Sequence, residues 1–482
     1  MQYSIVNRKD IDSIVARLDA EYYHPYYIEL EKKIKNYGAT TIKESKGKLD
    51  CSAFYPSITP YYNFEKIGIP FLRVNELQNG LVEFSCDSVF LPDFILEDNP
   101  STIAIAKYGD IIIAKGGNTL AKVAIIPNSY SEYSVCRDLI IIKTDKLKNI
   151  NKFYLWAYLL SKSGKDLMLR TASQTGQPHL TLEAINNLDI PIIDNNFQDN
   201  FEKIYHKLYE SKQNSQISYH KAEELILEEL GLNNWQPKHK LSFIKNFSDI
   251  QNAERIDAEY FQPKYDEIIQ AIKNYKGGWD KLSNIVSIKK CVEVGSDAYT
   301  EEGISFVRVS NLNKFEINEN NQQCISQELY EELAENFQPK KGEILLSKDG
   351  TAGLAYHVNS EAKKMIPCGG ILRLKVKNKD YLPEYLTLVL NSLIVQEQIE
   401  KVLSGALIKH WLTEQINNTV IPKLDVDKQK EIVEKIQESF KCREQSKQLL
   451  EIAKQGVEKA IEENEESATA WINQELEKLG IN

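Results

Sequence analysis

The sequence predicts an α+β fold in which two tandem-repeat globular modules alternate with two long helices that pair as an antiparallel coiled coil. Three observations predict it: an internal repeat spanning nearly all 482 residues, two heptad seams, and short β-type runs punctuated by Gly, Pro and Asn within each repeat.

The repeat opens with RLDAEYYHPYY, Arg17 to Tyr27, answered 238 residues later by RIDAEYFQPKY, Arg255 to Tyr265. It continues through Phe71-Leu72-Arg73-Val74-Asn75 and Phe306-Val307-Arg308-Val309-Ser310, through Gly109 to Lys115 and Gly342 to Lys348, and through Cys136 and Cys368 to His179 and His410. The offset drifts only from 238 to 231, so small loop changes separate the copies as far as the long helices. The closing Gly231 and Gly480 stand 249 apart, so the second copy has gained 18 residues. These either lengthen the second long helix or form a separate last one. The acidic run Glu462 to Glu466 favours a break, with Ser467 capping a helix from Ala468 to Leu479.

Each copy begins with a short helix, Ile28 to Tyr37 or Tyr265 to Tyr275, and the DAEYY and DAEYF stretches before it are expected to pack on a long helix or a partner. The β-type runs Ile103 to Ala106, Asp110 to Ala114, Val123 to Ile126 and Leu139 to Lys143 follow, matched by Glu343 to Ser347 and Ile371 to Val376. Helical patterns at Phe153 to Arg170 and Pro383 to Ser404 come next, and an extended Ile-Pro segment then delivers the chain to its long helix.

From Phe197 to Leu232, apolar or small residues recur in steps of three and four without an internal Pro or Gly before Gly231. A second seam of the same period runs from Val426 to Ile461. Phe201, Ile204, Leu208 and Leu225 are the expected pairing residues of the first, and Val433, Ile436, Phe440 and Leu450 of the second. Ser211, Ser215 and Ser218 in the polar middle leave room for the stems of Arg443 and Lys447 if the helices run antiparallel. The resulting division is a first module at 1–194, a central helix at 195–235, a second module at 236–424, and a distal helix with a C-terminal extension at 425–482.

Composition narrows the function. A chain of 482 residues, 42% hydrophobic and 27% charged, fits two to four ordinary globular domains. No apolar run approaches the roughly 18 residues of a membrane span, and no signal peptide opens the chain, so the expected location is cytoplasmic with no membrane partner. Seven scattered cysteines without a CxxC pair argue against a disulfide framework and a zinc site. There is no phosphate loop, dinucleotide fingerprint, zinc helix or Asn/Asp-Pro-Pro-Tyr/Phe methyltransferase signature, which favours a non-catalytic binding subunit. The net charge of −10 requires any DNA contact to come from local basic loops or from partner subunits.

The candidate recognition residues are polar side chains that differ between equivalent loops. Lys115, Asn118 and Lys122 stand against Lys348 and Asp349 on glycine-bearing hairpins whose Gly and Asn supply positive φ. Gln174, Gln177 and His179 stand against Lys409 and His410. Arg73 and Asn75, with Arg308, Ser310 and Asn311, follow equivalent apolar runs, and each arginine is either an ion-paired edge residue or a base contact. Arg suits guanine and Asn or Gln suits adenine in the major groove.

The motif order IPFLRVNEL, YGDIIIAKGGNTLAKVAII, SQTGQPHLTLEAINNLDIPI and a heptad helix is repeated as ISFVRVSNL, KGEILLSKDGTAGLAYHV and LSGALIKHWLTEQINNTVIPKL. This order resembles the specificity (S) subunit of a type I restriction-modification system over nearly the whole chain. The resemblance implies two target recognition domains, each reading one half of a bipartite, asymmetric site in double-stranded DNA. It implies two conserved spacer helices that dock two methyltransferase (modification) subunits, and restriction/translocase subunits in the restricting complex. It implies that S-adenosylmethionine, ATP and Mg²⁺ are used by the partner subunits and none is bound by this chain. The 18-residue extension departs from the family pattern. The competing readings are a coiled-coil scaffold without nucleic-acid binding, and a DNA-binding module of another DNA-modifying defence system.

Overall fold

The structure, a computed structural model, describes the chain apart from residues 1–4, 7–10, 12–18, 54–55, 86, 173–177, 320, 404–409 and 482. It is a mixed helix-and-sheet fold that divides into two compact units, 1–212 with 443–482, and 213–442. The division falls inside both long helices, Asn195–Glu229 and Val426–Glu462.

In the first unit, helix Pro25–Tyr37 starts on a proline, whose missing N–H costs nothing in a first turn, and ends at Gly38 with φ 99°. Strand Ala39–Thr40 then pairs antiparallel with Ile190–Pro191, so the chain enters and leaves the module through one two-stranded sheet. A six-stranded and a four-stranded sheet lie between them in sequence. Strand Ile111–Ala114 shows why an unbroken apolar run is a strand here. Ile111 and Ile113 enter one core cluster and Ile112 and Ala114 the other, so both faces are covered. Its neighbour Leu139–Lys143 alternates likewise, Ile140 and Ile142 to one side, Leu139 and Ile141 to the other.

The second unit pairs its strands in the same senses. Trp279–Lys281 joins Val420–Pro422, Ile344–Ser347 lies antiparallel to Ala355–His357 and Ile371–Val376, and Ile304–Val307 runs parallel to Met365–Pro367. Ile344, Leu346, Leu372 and Leu374 face one cluster, Leu345 and Ile371 the other. Arg373 shares the second face; it is 2% exposed and grips Glu343 through Nε and Nη2 at 2.9 and 3.0 Å.

Each helical pattern after the sheets proves to be two helices. They are Lys152–Leu160 and Lys162–Thr171 in the first unit, and Pro383–Asn391 and Leu393–Leu403 in the second. At the first break Ser161 Oγ donates to the Tyr158 carbonyl and accepts from Gly164 N, while a Cβ at Gly164 would collide with that carbonyl. At the second, Ser392 Oγ donates to the Val389 carbonyl at 2.7 Å. The hydroxyls offer the backbone an alternative to the helical ladder, which apolar periodicity does not register. The second helix of each pair holds the DAEYY-type turn: Arg170 lies 4.3 Å over the Tyr22 ring and Lys401 5.2 Å over Tyr260. The same cations pair with Glu31 and Asp266.

Within the first unit, Phe201, Ile204 and Leu208 share a cluster with Leu449, Leu450, Ala453 and Val457. Ser211 Oγ donates to Gln445 at 3.2 Å and Phe201 lies beside Gly456, so the two helices run antiparallel there. Within the second unit, Tyr219, Ala222 and Ile226 cluster with Ile432, Val433 and Ile436, Ser439 Oγ donates to the Ser215 carbonyl at 2.7 Å, and Lys428 reaches Glu229, again antiparallel. One expectation is corrected. Leu225 is only partly buried and Ile226 takes its place, because successive steps of four from Ser218 through Ala222 follow the 3.6 period of a straight helix rather than a strict heptad. Ser215 lies against Ser439, both buried, with their hydroxyls 3.2 Å apart. Phe440 is partly buried, against Phe315.

The second long helix does end at Glu462, and a last helix spans Glu465–Lys478. Its cap is Asn464, whose side chain accepts from Ser467 N at 2.8 Å; Ser467 is therefore the third helical residue and not the cap. Ile472 from this helix packs where Gly456 leaves the long helix bare, and Glu465 accepts from Tyr37 Oη and Asp194 N.

Candidate nucleic-acid interface

The candidate residues gather because of strand sense. In the first unit, Ile69–Leu72 and Tyr133–Val135 run parallel, so both end at the same sheet edge and deliver residues 73–75 and 136–138 there. Antiparallel pairing of Leu139 with Ala114 brings Lys115 to the same edge, where Lys115 N donates to the Asp138 carbonyl at 2.8 Å. Pairing of Val307 with Pro367 and of Ile371 with Ser347 does the same in the second unit, where Lys348 N donates to the Gly370 carbonyl at 2.9 Å.

The loop Lys115–Lys122 is held from its other side by a bridge between Gly116 and His179, and Leu180 N donates to the Lys115 carbonyl at 2.8 Å. A Cβ at Gly116 would collide with the His179 ring, so the glycine is what lets the histidine lie on the backbone. Asn118 is exposed, Lys115 half-buried, and burial lowers the pKa of the half-buried Lys122. His179 is exposed, whereas Gln174 and Gln177 lie outside the described residues.

The second unit makes the same bridge, Asp349 to His410, with Trp411 N donating to the Lys348 carbonyl at 2.8 Å. Here the side chains interact: His410 Nδ1 lies 2.8 Å from one Asp349 carboxylate oxygen, and Lys348 Nζ lies 2.6 Å from the other. Burial alone would raise the Asp349 carboxyl, yet hydrogen bonds from His410 and Lys348 hold it below its usual range. Lys409 lies outside the described residues. Val309 touches Gly370 and Gly350, which brings the turn carrying exposed Ser310 against this loop.

Arg73 and Arg308 are committed inward. Arg73 Nη2 donates to Glu76 at 3.0 Å and to the Asp87 carbonyl at 2.6 Å, and Arg308 Nη2 donates to the Asn321 carbonyl at 2.6 Å. Both precede a single 3₁₀ turn whose third residue, Glu76 or Asn311, accepts from the arginine's own backbone N–H. Asn311 is 1% exposed and donates to the Asn318 carbonyl, which corrects its place among the base-contact candidates: it is a buried turn residue. Asn75 is exposed on the equivalent turn. Sequence reading missed Arg137, exposed beside the Lys115 loop; the signal was its replacement by Gly369 directly after the matched Cys136 and Cys368.

Among the described residues no group of three His, Cys, Asp or Glu could hold a metal ion, and no helix is long and apolar enough to cross a membrane. The family described as "Type I restriction modification DNA specificity domain" matches residues 276–455. No curated protein matches the sequence. Among solved structures the chain is similar to the S subunit of a type I restriction-modification system from M. genitalium, at 12% identity over 92% of this chain and 95% of that one, with a TM-score of 0.35. It is also similar to the HsdS subunit from Thermoanaerobacter tengcongensis, at 14% identity over 87% and 97%, with a TM-score of 0.26. The match to a type I restriction modification DNA specificity domain thus covers most of the second module and of the second long helix, less than half of the chain.

Proposed function

We propose that residues 1–194 and 236–424 are two target recognition domains, each reading one half of a bipartite, asymmetric site in double-stranded DNA. The helices in 195–235 and 425–482 pair as an antiparallel coiled coil that sets the number of unread base pairs and docks two methyltransferase subunits. Restriction/translocase subunits join the restricting complex. The chain itself is non-catalytic, and S-adenosylmethionine, ATP and Mg²⁺ act in its partners. The observation that carries this reading is one backbone frame with two side-chain solutions: Gly116 bridges His179 in one unit, and Asp349 bridges His410 in the other. Different half-sites require such divergence inside a fixed frame.

The test exchanges loop 115–122 and segment 174–179 for those of another S subunit, followed by methylation-site mapping of the assembled complex. One half-site should change while the other stays. A change in both half-sites together overturns the modular reading.

A further inference from the structure

The second unit contains an open cavity of about 390 Å³, within the size range of small-ligand sites. Its walls include Tyr219, His357, Glu384, Thr387, Ile436 and Phe440. The first unit fills the equivalent place. Two pairs of matching hydrogen bonds fix the equivalence: Tyr154 Oη donates to the Pro191 carbonyl as Tyr385 does to Pro422, and Gln198 accepts from Asn151 N as Gln429 does from Leu382 N. In that register Glu384 replaces Phe153, Thr387 replaces Trp156, Ile436 replaces Tyr205 and Phe440 corresponds to Tyr209. The first unit stacks Phe153 on Tyr205 at 4.7 Å and Tyr205 on Tyr209 at 6.0 Å, sets Trp156 edge-on to Tyr205, and gives the indole N–H an acceptor in the Gly80 carbonyl at 2.7 Å.

Phe315, at the position of Gly80, packs edge-on against Tyr219 and Phe440 and takes up part of the lost volume. The cavity remains despite it. Beyond Glu384 and Thr387, it is polar at a third point where the first unit is not. His357 replaces Ile125, each lying opposite an equivalent residue of the neighbouring strand, and its Nε2 is enclosed without a hydrogen-bond partner in the protein. Burial lowers the pKa of this imidazole, against the opposing charge of Glu384. An enclosed, unpaired ring nitrogen costs free energy that a ligand's hydrogen bond recovers.

We propose that this cavity binds a flat aromatic heterocycle of indole size, its ring nitrogen hydrogen-bonded to His357 Nε2 and its faces packed on Ile436 and Phe440.

Indole titrated into the full chain, followed by ligand-observed NMR and by thermal unfolding, should saturate one site with a Kd on the order of 0.1–1 mM and raise Tm. Thr387→Trp, which places the first unit's own side chain in the space, should abolish binding. His357→Phe should weaken indole about tenfold yet leave naphthalene, which has no ring nitrogen, unaffected. If Thr387→Trp does not fold, the indole-against-naphthalene comparison in His357→Phe decides. Absence of saturable indole binding to the wild-type chain, or equal binding by both variants and the wild type, overturns the proposal.

Discussion

His410 Nδ1 lies 2.8 Å from the Asp349 carboxylate, on the backbone bridge that in the first unit places His179 against the bare Gly116. Removing the carboxylate by Asp349→Ala leaves the backbone bridge in place and frees the imidazole and Lys348 Nζ. Because His410 is exposed and Asp349 only half-buried, solvent screens the pair and stability should change by about 1 kcal/mol or less. Methylation-site mapping should show altered preference in the half-site read by the second unit alone.

The reciprocal change, Gly116→Ala, drives a methyl group into the His179 ring. It should displace the segment leading to Leu180 and relax the other half-site, with the half-site of the second unit unchanged in the same mapping experiment. Altered preference in the second half-site would contradict independent modules.

Acid stability follows from three depressed carboxyls. Burial works against it, but Lys35 and Arg170 lower Glu31 from 4.5, and Lys245 and Lys401 lower Asp266 from 3.8, as His410 and Lys348 lower Asp349. A carboxylate with a depressed folded pKa stabilises the fold above its unfolded pKa and loses that contribution as pH falls through the folded value. Unfolding free energy should therefore decline below the 3.8 to 4.5 range. The double variant Glu31→Gln, Asp266→Asn should be less stable at neutral pH and show a flatter acid limb in denaturant titrations.

Glu343→Ala leaves the Arg373 guanidinium buried among Leu345 and Ile371 without its carboxylate. The expected loss is about 3–5 kcal/mol, whereas the double change Glu343→Leu, Arg373→Met should recover most of it. Chemical denaturation of the three proteins measures this. Equal destabilisation by the single and double changes would show that the ion pair itself, rather than the unpaired charge, is what matters.

The spacer prediction uses helix geometry. Four residues inserted between Ser211 and Ser218 add roughly 6 Å and about 40° of rotation. At about 3.4 Å per base pair, the unread spacer should grow by one or two base pairs while both half-sites persist. An unchanged spacer with methylation retained would show that the helices do not set the separation.

Sequence alone determined what depends on period and identity. The repeat, the two long helices and the buried strands around Ile112 and Leu345 were legible, because apolar recurrence at 3.5 to 3.6 or in unbroken short runs reports burial directly. So was the break before the last helix, announced by the acidic run around Asn464. The folded chain decided whatever depends on particular hydrogen bonds, backbone approaches and packing contacts. Ser161 interrupts a helix by bonding the Tyr158 carbonyl, an approach that the bare Gly164 permits, Ile226 displaces Leu225 because a straight helix drifts off a heptad, and Asn311 turns inward to the Asn318 carbonyl. Trp156 and Thr387 read as unremarkable helical residues until Tyr205 and Ile436 are brought beside them, which leaves one unit filled and the other with a cavity. Periodicity encodes which face is buried, but only the packed chain fixes what volume and which polar atoms meet there.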